Sequence, residues 1–389
     1  MTAILTLAIV ATLATTALIV VRHGKLVCQG TLAVGVPTFI AILFTTGLDV
    51  GLILFPLLDF PVYAEDARYA FANPLAIEFG FWGFLVWGFY FLTTFYFCVV
   101  EPQVQLFERP ALKLANNAVI IATCAFTVNL FFDFLPQYIA GIGDAARNLL
   151  VVAVLALATL SSTRLAYVKL LSVSSYLLFL ALILLLALAS DSDAAELLLS
   201  LSALQDYFAN IHRFVYPITD YHAFYLFWWF AWSIMIGQFV SRFVSGLTTW
   251  QLLVALLVVP SIPIALWFAV LYGYFESRQP VPSAAHGAMV VVGVVFLINS
   301  VDSLIRLYTQ NLGLTLERLG FLKYLGMNVG ILGGLLLLYQ LTPLKIEWIG
   351  LAVIGIYFAV AGLLLKHRAT LSGRARGLEE PLRKQQRMR

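Results

Sequence analysis

The sequence is poor in charge. Lys and Arg number 23 and Asp and Glu 20 in a chain of 389 residues, so that 11% of residues are charged and 62% are hydrophobic. A soluble domain has about a quarter of its residues charged, because its surface must be solvated. This composition excludes a soluble globular protein and indicates a polytopic membrane protein.

Cysteine and histidine are scarce as well. Cys28, Cys98 and Cys124 form no CxxC pair, and the first two are expected near cytoplasmic helix ends, so neither a disulfide nor metal ligation is predicted. The histidines show neither HxxxH nor HExxH spacing, which argues against a metal-dependent membrane enzyme and predicts no catalytic residue. They are His23, His212, His222, His286 and His367.

Alternation of apolar and polar residues, the mark of a transmembrane strand, is missing too. The apolar runs are continuous and about 20 residues long, as membrane-spanning helices require. Eleven spans are predicted: Thr2 to Val21, Thr31 to Phe55, Leu75 to Val99, Asn117 to Leu135, Asn148 to Ser162, Leu170 to Ala189, Ala223 to Val240, Leu252 to Tyr274, Ala285 to Ile305, Tyr324 to Leu341 and Ile349 to Leu365.

Positive charge is unevenly distributed between the predicted loops. The first span has no basic residue before it but Arg22 and Lys25 after it, which favours an uncleaved helix with an outer N-terminus over a signal peptide. Alternate threading then puts 18 of the 23 Lys and Arg on one side, which is therefore cytoplasmic. Eight of them lie from Lys366 onward, in a tail that predicts either contact with anionic lipid or a merely solvated terminus, and no nucleic-acid function.

Three parts of the chain are distinguished on this basis. Residues 1–30 are an N-terminal transmembrane helix and loop, residues 31–366 a ten-helix core, and residues 367–389 a basic cytoplasmic tail. Between the sixth and seventh spans, residues 190–222 are too polar to cross but carry leucines at helical spacing, which predicts an amphipathic helix along the outer surface.

Two aromatic clusters stand inside the apolar spans. Trp228, Trp229 and Trp232 fall within about a 100° arc of one helix, and so can line one cavity. Trp82, Trp87 and Tyr90 form the second cluster, with Trp87 and Tyr90 three residues apart on a helix. An electron-rich ring face attracts a quaternary ammonium, which has no N–H to satisfy, by about 2 kcal/mol when water is excluded. The two clusters therefore predict a cage for a methylated cation.

Three ordered sequence blocks resemble the betaine/choline/carnitine transporter family. Residues 224–233 read FYLFWWFAWS and continue through Gly237, Arg242, Gly246, Val259-Pro260 and Trp267-Phe268, similar to the family's FYWAWWxxWS...G...AR...RG...VP...WF. Residues 46–52 (TGLDVGL) resemble its GMGIGL segment, with Asp59 where members usually carry a Glu, and residues 296–303 (FLINSVDS) resemble FFxTSADS. The resemblance runs from about Thr31 to about Ser303, with Leu226 and Ile234 as departures from a Trp and a Pro.

The resemblance implies a fold and a site. The fold is an all-α, LeuT-like core of two inverted five-helix repeats around a midplane site lined by broken helices, here with one extra N-terminal helix. In the family, the counterparts of Trp82, Trp87, Tyr90 and Trp229 form the aromatic box around the trimethylammonium group, and those of Trp228 and Trp232 line the same path. The implied function is alternating-access transport of a quaternary amine.

Asp49 is the departure that bears most on the substrate. Gly47 and Gly51 interrupt an apolar span, and unwound backbone at membrane depth is tolerated only where it lines a cavity or is covered by protein; close helix packing is the alternative explanation for these glycines. Asp49 between them costs about 3 kcal/mol or more in a membrane, so it needs a partner, a proton, a cation or a water-filled cavity. A carboxylate there favours choline over zwitterionic betaine or carnitine.

The sequence alone leaves the identity of the coupling ion open. By resemblance, Thr123 and Thr127 support one sodium site, while backbone carbonyls near Thr45, Leu48 and Phe296 form a second with the side-chain oxygens of Asn299 and Ser300. Interhelical hydrogen bonding is the alternative role of these polar residues, and a proton on Asp49 is the alternative coupling ion. No other cofactor is predicted.

Two further expectations follow from the resemblance. Members often form homotrimers. This chain is shorter than typical members at both ends, so osmotic regulation is not inferred from the resemblance. A membrane protein that binds or senses the amine without moving it is the rival function.

Overall fold

The computed structural model describes residues 1–48, 50–139, 141–191 and 193–366. Within them almost all regular structure is α-helical, and one pair of very short strands is present. The prediction of an all-α polytopic membrane protein is confirmed. The predicted basic tail, residues 367–389, lies outside the described residues.

The α-helices of the described residues are as follows. In the first half of the chain they are α1 (Thr2–His23), α2 (Val36–Gly47), α3 (Gly51–Leu54), α4 (Pro56–Glu65), α5 (Pro74–Trp82), α6 (Trp87–Phe95), α7 (Glu101–Val104), α8 (Pro110–Tyr138), α9 (Asp144–Ser162) and α10 (Leu165–Ala189). The second half contains α11 (Ala194–Ser202), α12 (Gln205–Ala209), α13 (Asp220–Val240), α14 (Thr249–Leu257), α15 (Ser261–Ser277), α16 (Ser283–Leu312), α17 (Leu316–Leu319), α18 (Phe321–Leu341) and α19 (Ile346–Lys366).

Ten segments of the described chain are long and apolar enough to cross a membrane. They match the predicted spans except the second, Thr31 to Phe55, which is not one continuous helix. There α2 ends at Gly47, Leu48 is extended at φ −127° and ψ 158°, and the helix resumes at Gly51. The break predicted from Gly47 and Gly51 is therefore present.

The third predicted span is also interrupted, which the sequence did not predict. Helix α5 ends at Trp82, a 3₁₀ turn covers Phe84–Val86, and α6 begins at Trp87. Phe84 has a φ of +40°, a conformation that is uncommon for a bulky residue. The expectation of one continuous helix from Leu75 to Val99 is wrong, because Gly83 ends α5 in an extended conformation.

The two strands join distant loops. Strand β1 (Val27–Gln29) pairs antiparallel with β2 (Ser245–Thr248). The loop after α1 and the loop after α13 therefore lie on the same side of the helix bundle. Alternate threading from an outer N-terminus requires the same arrangement, since the first and seventh predicted spans both end inside.

The predicted amphipathic helix in residues 190–222 is three short elements instead. Helices α11 and α12 are followed by a 3₁₀ segment, Ile211–Val215. The Asn210 side chain donates to the carbonyls of Phe71 and Asp206, and so ties the end of α12 to the loop before α5. Leu198 and Leu199 are 66% and 71% exposed, which leaves an apolar face on α11.

Candidate functional site

Four of the predicted box residues form a closed ring of contacts. The rings of Trp82 and Trp229 lie 5.2 Å apart between centroids at 83°, and those of Trp229 and Tyr90 6.1 Å apart at 73°. Tyr90 and Trp87 lie 5.2 Å apart at 86°, and the Trp87 Nε1–H closes the ring by donating to the Trp82 carbonyl at 3.0 Å. In each of these three ring pairs the rings are nearly perpendicular, which is the relation between adjacent walls of a box.

Three separate segments hold these walls in place. The Trp229 Nε1–H on α13 donates to the carbonyl of Phe81 on α5, at 2.6 Å. The Tyr90 hydroxyl on α6 donates to the carbonyl of Gly47, the last residue of α2, at 3.0 Å. The box is therefore attached directly to the interruption of the second span.

Gly47 favours this close contact. A Cβ at this position would lie 3.2 Å from atoms of both the Trp87 and Tyr90 rings. The absence of a side chain thus lets the unwound backbone approach the ring faces closely.

Trp228 and Trp232 extend the aromatic region. Trp228 stacks on Trp229 at 5.8 Å and meets Trp82 edge to face at 5.6 Å. Trp232 is 1% exposed, one turn further along α13, but it is not one of the partners in these ring contacts. The structure thus brings five of the six predicted aromatic residues into contact and buries the sixth.

Two further rings, which the sequence did not predict, border the site. Phe55 lies 6.4 Å from Trp82 and 6.3 Å from Trp228, and Tyr225 lies 5.5 Å and 5.7 Å from the same two rings. Tyr225 precedes Trp229 by four residues, so the helical period could have found it. Phe55 could not be found in this way, because its position depends on the break in the second span.

A cavity of about 210 Å³ lies elsewhere, among α1, α6, α13 and α19. Its lining includes Thr12, Thr93, Tyr96 and Tyr357, and contains neither a charged side chain nor any of the six predicted aromatic residues. The candidate site therefore depends on ring geometry and not on this cavity.

The predicted sodium ligands converge in part. The Ser300 hydroxyl on α16 lies 2.9 Å from the Leu48 carbonyl oxygen and 3.3 Å from that of Thr45. Both carbonyls belong to the interrupted segment, at the end of α2. Phe296, one turn before Ser300, is completely buried. Two backbone oxygens of the second span thus lie within hydrogen-bond distance of one hydroxyl on α16, and their joint coordination of sodium stays a prediction.

The other predicted sodium ligands are arranged differently. The Asn299 Oδ1 accepts a hydrogen bond from Ser172 at 3.0 Å, and its Nδ2 has no partner within the part of the chain described. The Thr127 hydroxyl donates to the Thr123 carbonyl at 3.2 Å, and the buried Thr123 Oγ1 is unpartnered among the described residues. Thr123 and Thr127 do lie on one face of α8.

Asp49, predicted to hold the cation, lies outside the described residues. Two other carboxyl groups do lie beside the box. Glu78 precedes Trp82 by one turn of α5 and is completely buried, and Asp59 on α4 is 7% exposed. The sequence singled out Asp59 only as a departure from the family pattern, and it gave no sign of Glu78.

At the surface end of α4, charge is compensated locally. Arg68 donates to Asp66 with an N–O distance of 2.7 Å, and these hydrogen bonds hold the pKa of Asp66 below its usual range. Arg68 is therefore already paired, and the ion pairs found among the described residues include none with Asp59 or Glu78.

Comparison with known proteins agrees with the resemblance predicted from the sequence. The family model for betaine/carnitine/choline family transporters matches residues 119–279. This match confirms the resemblance and is consistent with a member of that family. It also supports a transporter rather than an enzyme.

The similar proteins found by sequence cover little of the chain. An uncharacterized transporter of Mycobacterium bovis is 31% identical over 78 residues, which is 20% of this chain and 12% of that protein. An uncharacterized transporter of Mycobacterium tuberculosis matches to the same extent. The aligned part of the chain thus spans about an eighth of the length of these relatives.

Among solved structures, a Na⁺-coupled sialic acid symporter in a substrate-bound, outward-open state is similar with a TM-score of 0.46. The two are 13% identical, and the similarity covers 93% of this chain and 80% of that one.

Proposed function

We propose that this divergent member of the betaine/carnitine/choline transporter family carries a quaternary-ammonium solute across the cytoplasmic membrane by alternating access. The observation that carries the proposal is the closed ring of Trp82, Trp229, Tyr90 and Trp87. All four side chains are at most 2% exposed, so a guest among them is shielded from water. In that setting each ring face contributes about 2 kcal/mol toward a cation without N–H groups.

Choline is the favoured substrate over glycine betaine and carnitine. The box is bordered by the carboxyl group of Glu78 one turn away on α5, and Asp49 follows Gly47, whose carbonyl accepts from Tyr90, by two residues in the sequence. A zwitterion would bring its own carboxylate near these acids, whereas choline brings only a cation. Negative charge around an aromatic box therefore discriminates between substrates that share the same trimethylammonium group.

The candidate site suits a carrier because several separate helices meet there. The walls come from α5, α6 and α13, while the second span and α16 contribute Leu48 and Ser300 on another side. Movement of one group of helices against the other opens the site to one side of the membrane at a time. The solute must bind the two states differently to bias this cycle.

Counterflow of labelled choline in proteoliposomes tests transport directly. Vesicles loaded with unlabelled choline and containing the full chain are expected to accumulate external labelled choline above equilibrium, and vesicles loaded with proline are not. A protein that only binds or senses the amine gives no accumulation in either case. Equal, non-accumulating signals would thus contradict the carrier proposal and favour the sensor.

Sodium is the proposed coupling ion, at the oxygens of Thr45, Leu48 and Ser300. The Ser300→Ala variant removes the only side-chain oxygen of the three and is expected to raise the Na⁺ concentration for half-maximal uptake by about tenfold or more, since bonds to charged groups contribute about 1.5–3 kcal/mol. The measurement is choline uptake as a function of Na⁺ at constant ionic strength.

Ser174→Ala is the matched control for this variant. The Ser174 hydroxyl on α10 donates to the carbonyl of Leu170 in its own helix, so its loss leaves the candidate cation site untouched. An unchanged Na⁺ dependence in Ser300→Ala would remove the support for this site and favour the proton-coupled carrier. The Asp49→Asn variant decides that alternative, because proton coupling through Asp49 requires its carboxyl group.

We place the N-terminus outside and the C-terminus in the cytoplasm on the distribution of Lys and Arg between the loops. We propose two further features on the family resemblance. They are the division into an N-terminal helix, a ten-helix core and a basic tail, and the assembly into homotrimers.

A further inference from the structure

Two buried carboxyl groups on neighbouring helices are joined by one hydroxyl. The Tyr63 hydroxyl on α4 lies 2.7 Å from Glu78 Oε2 on α5 and 3.3 Å from Asp59 Oδ2 on α4. A phenol has a single hydrogen, so it can donate fully to only one of the two acids at a time. The three side chains are 2%, 0% and 7% exposed for Tyr63, Glu78 and Asp59.

Helix α13 supplies the remaining donors. The Tyr221 hydroxyl lies 3.0 Å from both Asp59 oxygens, and the Tyr225 hydroxyl lies 3.1 Å from Oδ2. Asp59 is therefore well supplied with neutral donors, but neither acid has a basic partner within the described chain. Two adjacent carboxylates in a low-dielectric interior strongly disfavour each other when both are ionised.

One side of this cluster meets a wall of the box. The Trp82 side chain interacts with Glu78, and neither Glu78 Oε1 nor the Trp82 Nε1–H completes a short hydrogen bond with any described residue. A neutral N–H group compensates a buried negative charge less than a cation does, which favours a proton bound to the pair. The contacts of 2.7–3.3 Å around the pair leave room for no organic cation between the two acids.

We propose that Asp59 and Glu78 together bind one exchangeable proton, which an organic cation displaces when it enters the aromatic box. This inference rests on the proposed binding of a quaternary amine. It assigns the pair a ligand of its own, distinct from the amine and from the sodium site.

Other ionisable groups surround the pair. The elements packed against α4, α5 and α13 contribute neutral Tyr69, Tyr138 and Tyr272, and the His222 ring stacks on Phe81 while its Nδ1 accepts from the backbone of Ile218. Charged groups lie further out: Asp206 accepts from Asn73, Arg213 stacks on Phe71, and Glu276 lies near Tyr272. These charged groups contact residues other than the pair. Asp59 and Glu78 are therefore the two acids that share the Tyr63 hydroxyl.

The position of the pair couples it to the box. Glu78 precedes Trp82 by four residues, and Tyr225 precedes Trp229 by four, so the cluster lies one helical turn, about 6 Å, from the box walls. A cation among the rings and a proton on the pair therefore repel each other. By reciprocity, choline binds more tightly once the pair has lost its proton, by about 100-fold at this distance and an effective dielectric constant of about 20. Each amine that enters thus releases a proton.

Proton release is measured with a pH indicator when choline chloride is added to the full chain in weakly buffered detergent solution at constant sodium. For the unmodified protein, the number of protons released per chain is expected to vary with pH and to reach about one at its maximum. Asp59→Asn and Glu78→Gln are each expected to reduce the release at least about fivefold. Glu65→Gln, an exposed acid on the same α4, is expected to leave it unchanged. Equal release from all four proteins would overturn the proposal.

A second measurement needs no ligand. The infrared difference spectrum between low and high pH shows the carbonyl stretching band of a protonated carboxylic acid, and Tyr63→Phe removes the bridging hydroxyl without changing a charge. This band is expected to shift in Tyr63→Phe and to stay in place in Glu65→Gln. An identical band in the unmodified protein and in Tyr63→Phe would contradict a proton on the pair, even if the Asp59 and Glu78 variants do not fold. Absence of choline binding in every protein would contradict the proposed function and leave this infrared result to decide the proton site.

Discussion

Replacing Trp229 with alanine is expected to weaken choline binding at least about 30-fold. Trp229 is the wall that contacts both Trp82 and Tyr90, and loss of one ring face from a site without water removes about 2 kcal/mol. The loss also frees the Phe81 carbonyl, which now accepts from the indole at 2.6 Å. Equilibrium binding of labelled choline to purified protein measures the change.

Two variants separate the ring from other effects of this substitution. Trp229→Phe keeps an aromatic face but lacks the N–H, so it is expected to retain most of the affinity. Trp348→Ala removes an indole that is 56% exposed on α19, and is expected to bind choline as the unmodified protein does. Comparable affinity in Trp229→Ala and Trp348→Ala would rule out Trp229 as a wall of the binding site.

Replacing Gly350 with alanine is expected to lower the stability of the folded protein by about 2–3 kcal/mol, a typical cost of overpacking. A Cβ on Gly350 of α19 would lie 2.4 Å from the carbonyl oxygen of Phe227 and 2.9 Å from its Cα. These are backbone atoms of α13, so no side-chain rotation relieves the overlap. Helix α13 would have to shift at the residue that precedes Trp228, and choline binding should weaken with the stability.

The same helix provides the control. A Cβ on Gly355 would meet no atom within 4 Å, so Gly355→Ala removes a glycine from α19 without a clash. It is expected to leave the melting temperature unchanged or to raise it slightly, because alanine favours helix over glycine by about 1 kcal/mol. Thermal unfolding in detergent, followed by loss of monodisperse protein, compares the two. A Gly350→Ala protein as stable as Gly355→Ala would contradict the close approach of α13 and α19.

The sequence predicted which aromatic rings meet better than it predicted the backbone that carries them. Trp82, Trp87, Tyr90 and Trp229 do come together, although Trp82 and Trp87 were assigned to one continuous helix. The interruption after Trp82 depends on a left-handed conformation at Phe84, which no local pattern indicates for a phenylalanine. Glycines at 47 and 51, by contrast, marked the break in the second span, because glycine within an apolar run is a recognisable signal.

The acidic cluster shows what a single sequence leaves out. Asp59 and Glu78 are separated by 19 residues and an intervening turn, and no spacing rule relates them. Only the packing of α4 against α5 brings both within reach of Tyr63. In the same way the contact of Ser300 with Leu48 followed from family resemblance and not from any periodicity.

The comparison of choline with its uncharged carbon analogue, 3,3-dimethylbutan-1-ol, tests the central claim most directly. The two molecules have nearly the same shape, and only choline has a positive charge for the ring faces to attract. Purified protein is expected to bind choline at least about 100-fold more tightly, since more than one ring contributes about 2 kcal/mol. Equal affinity for the two compounds would mean that the rings of Trp82, Trp87, Tyr90 and Trp229 do not recognise a cation.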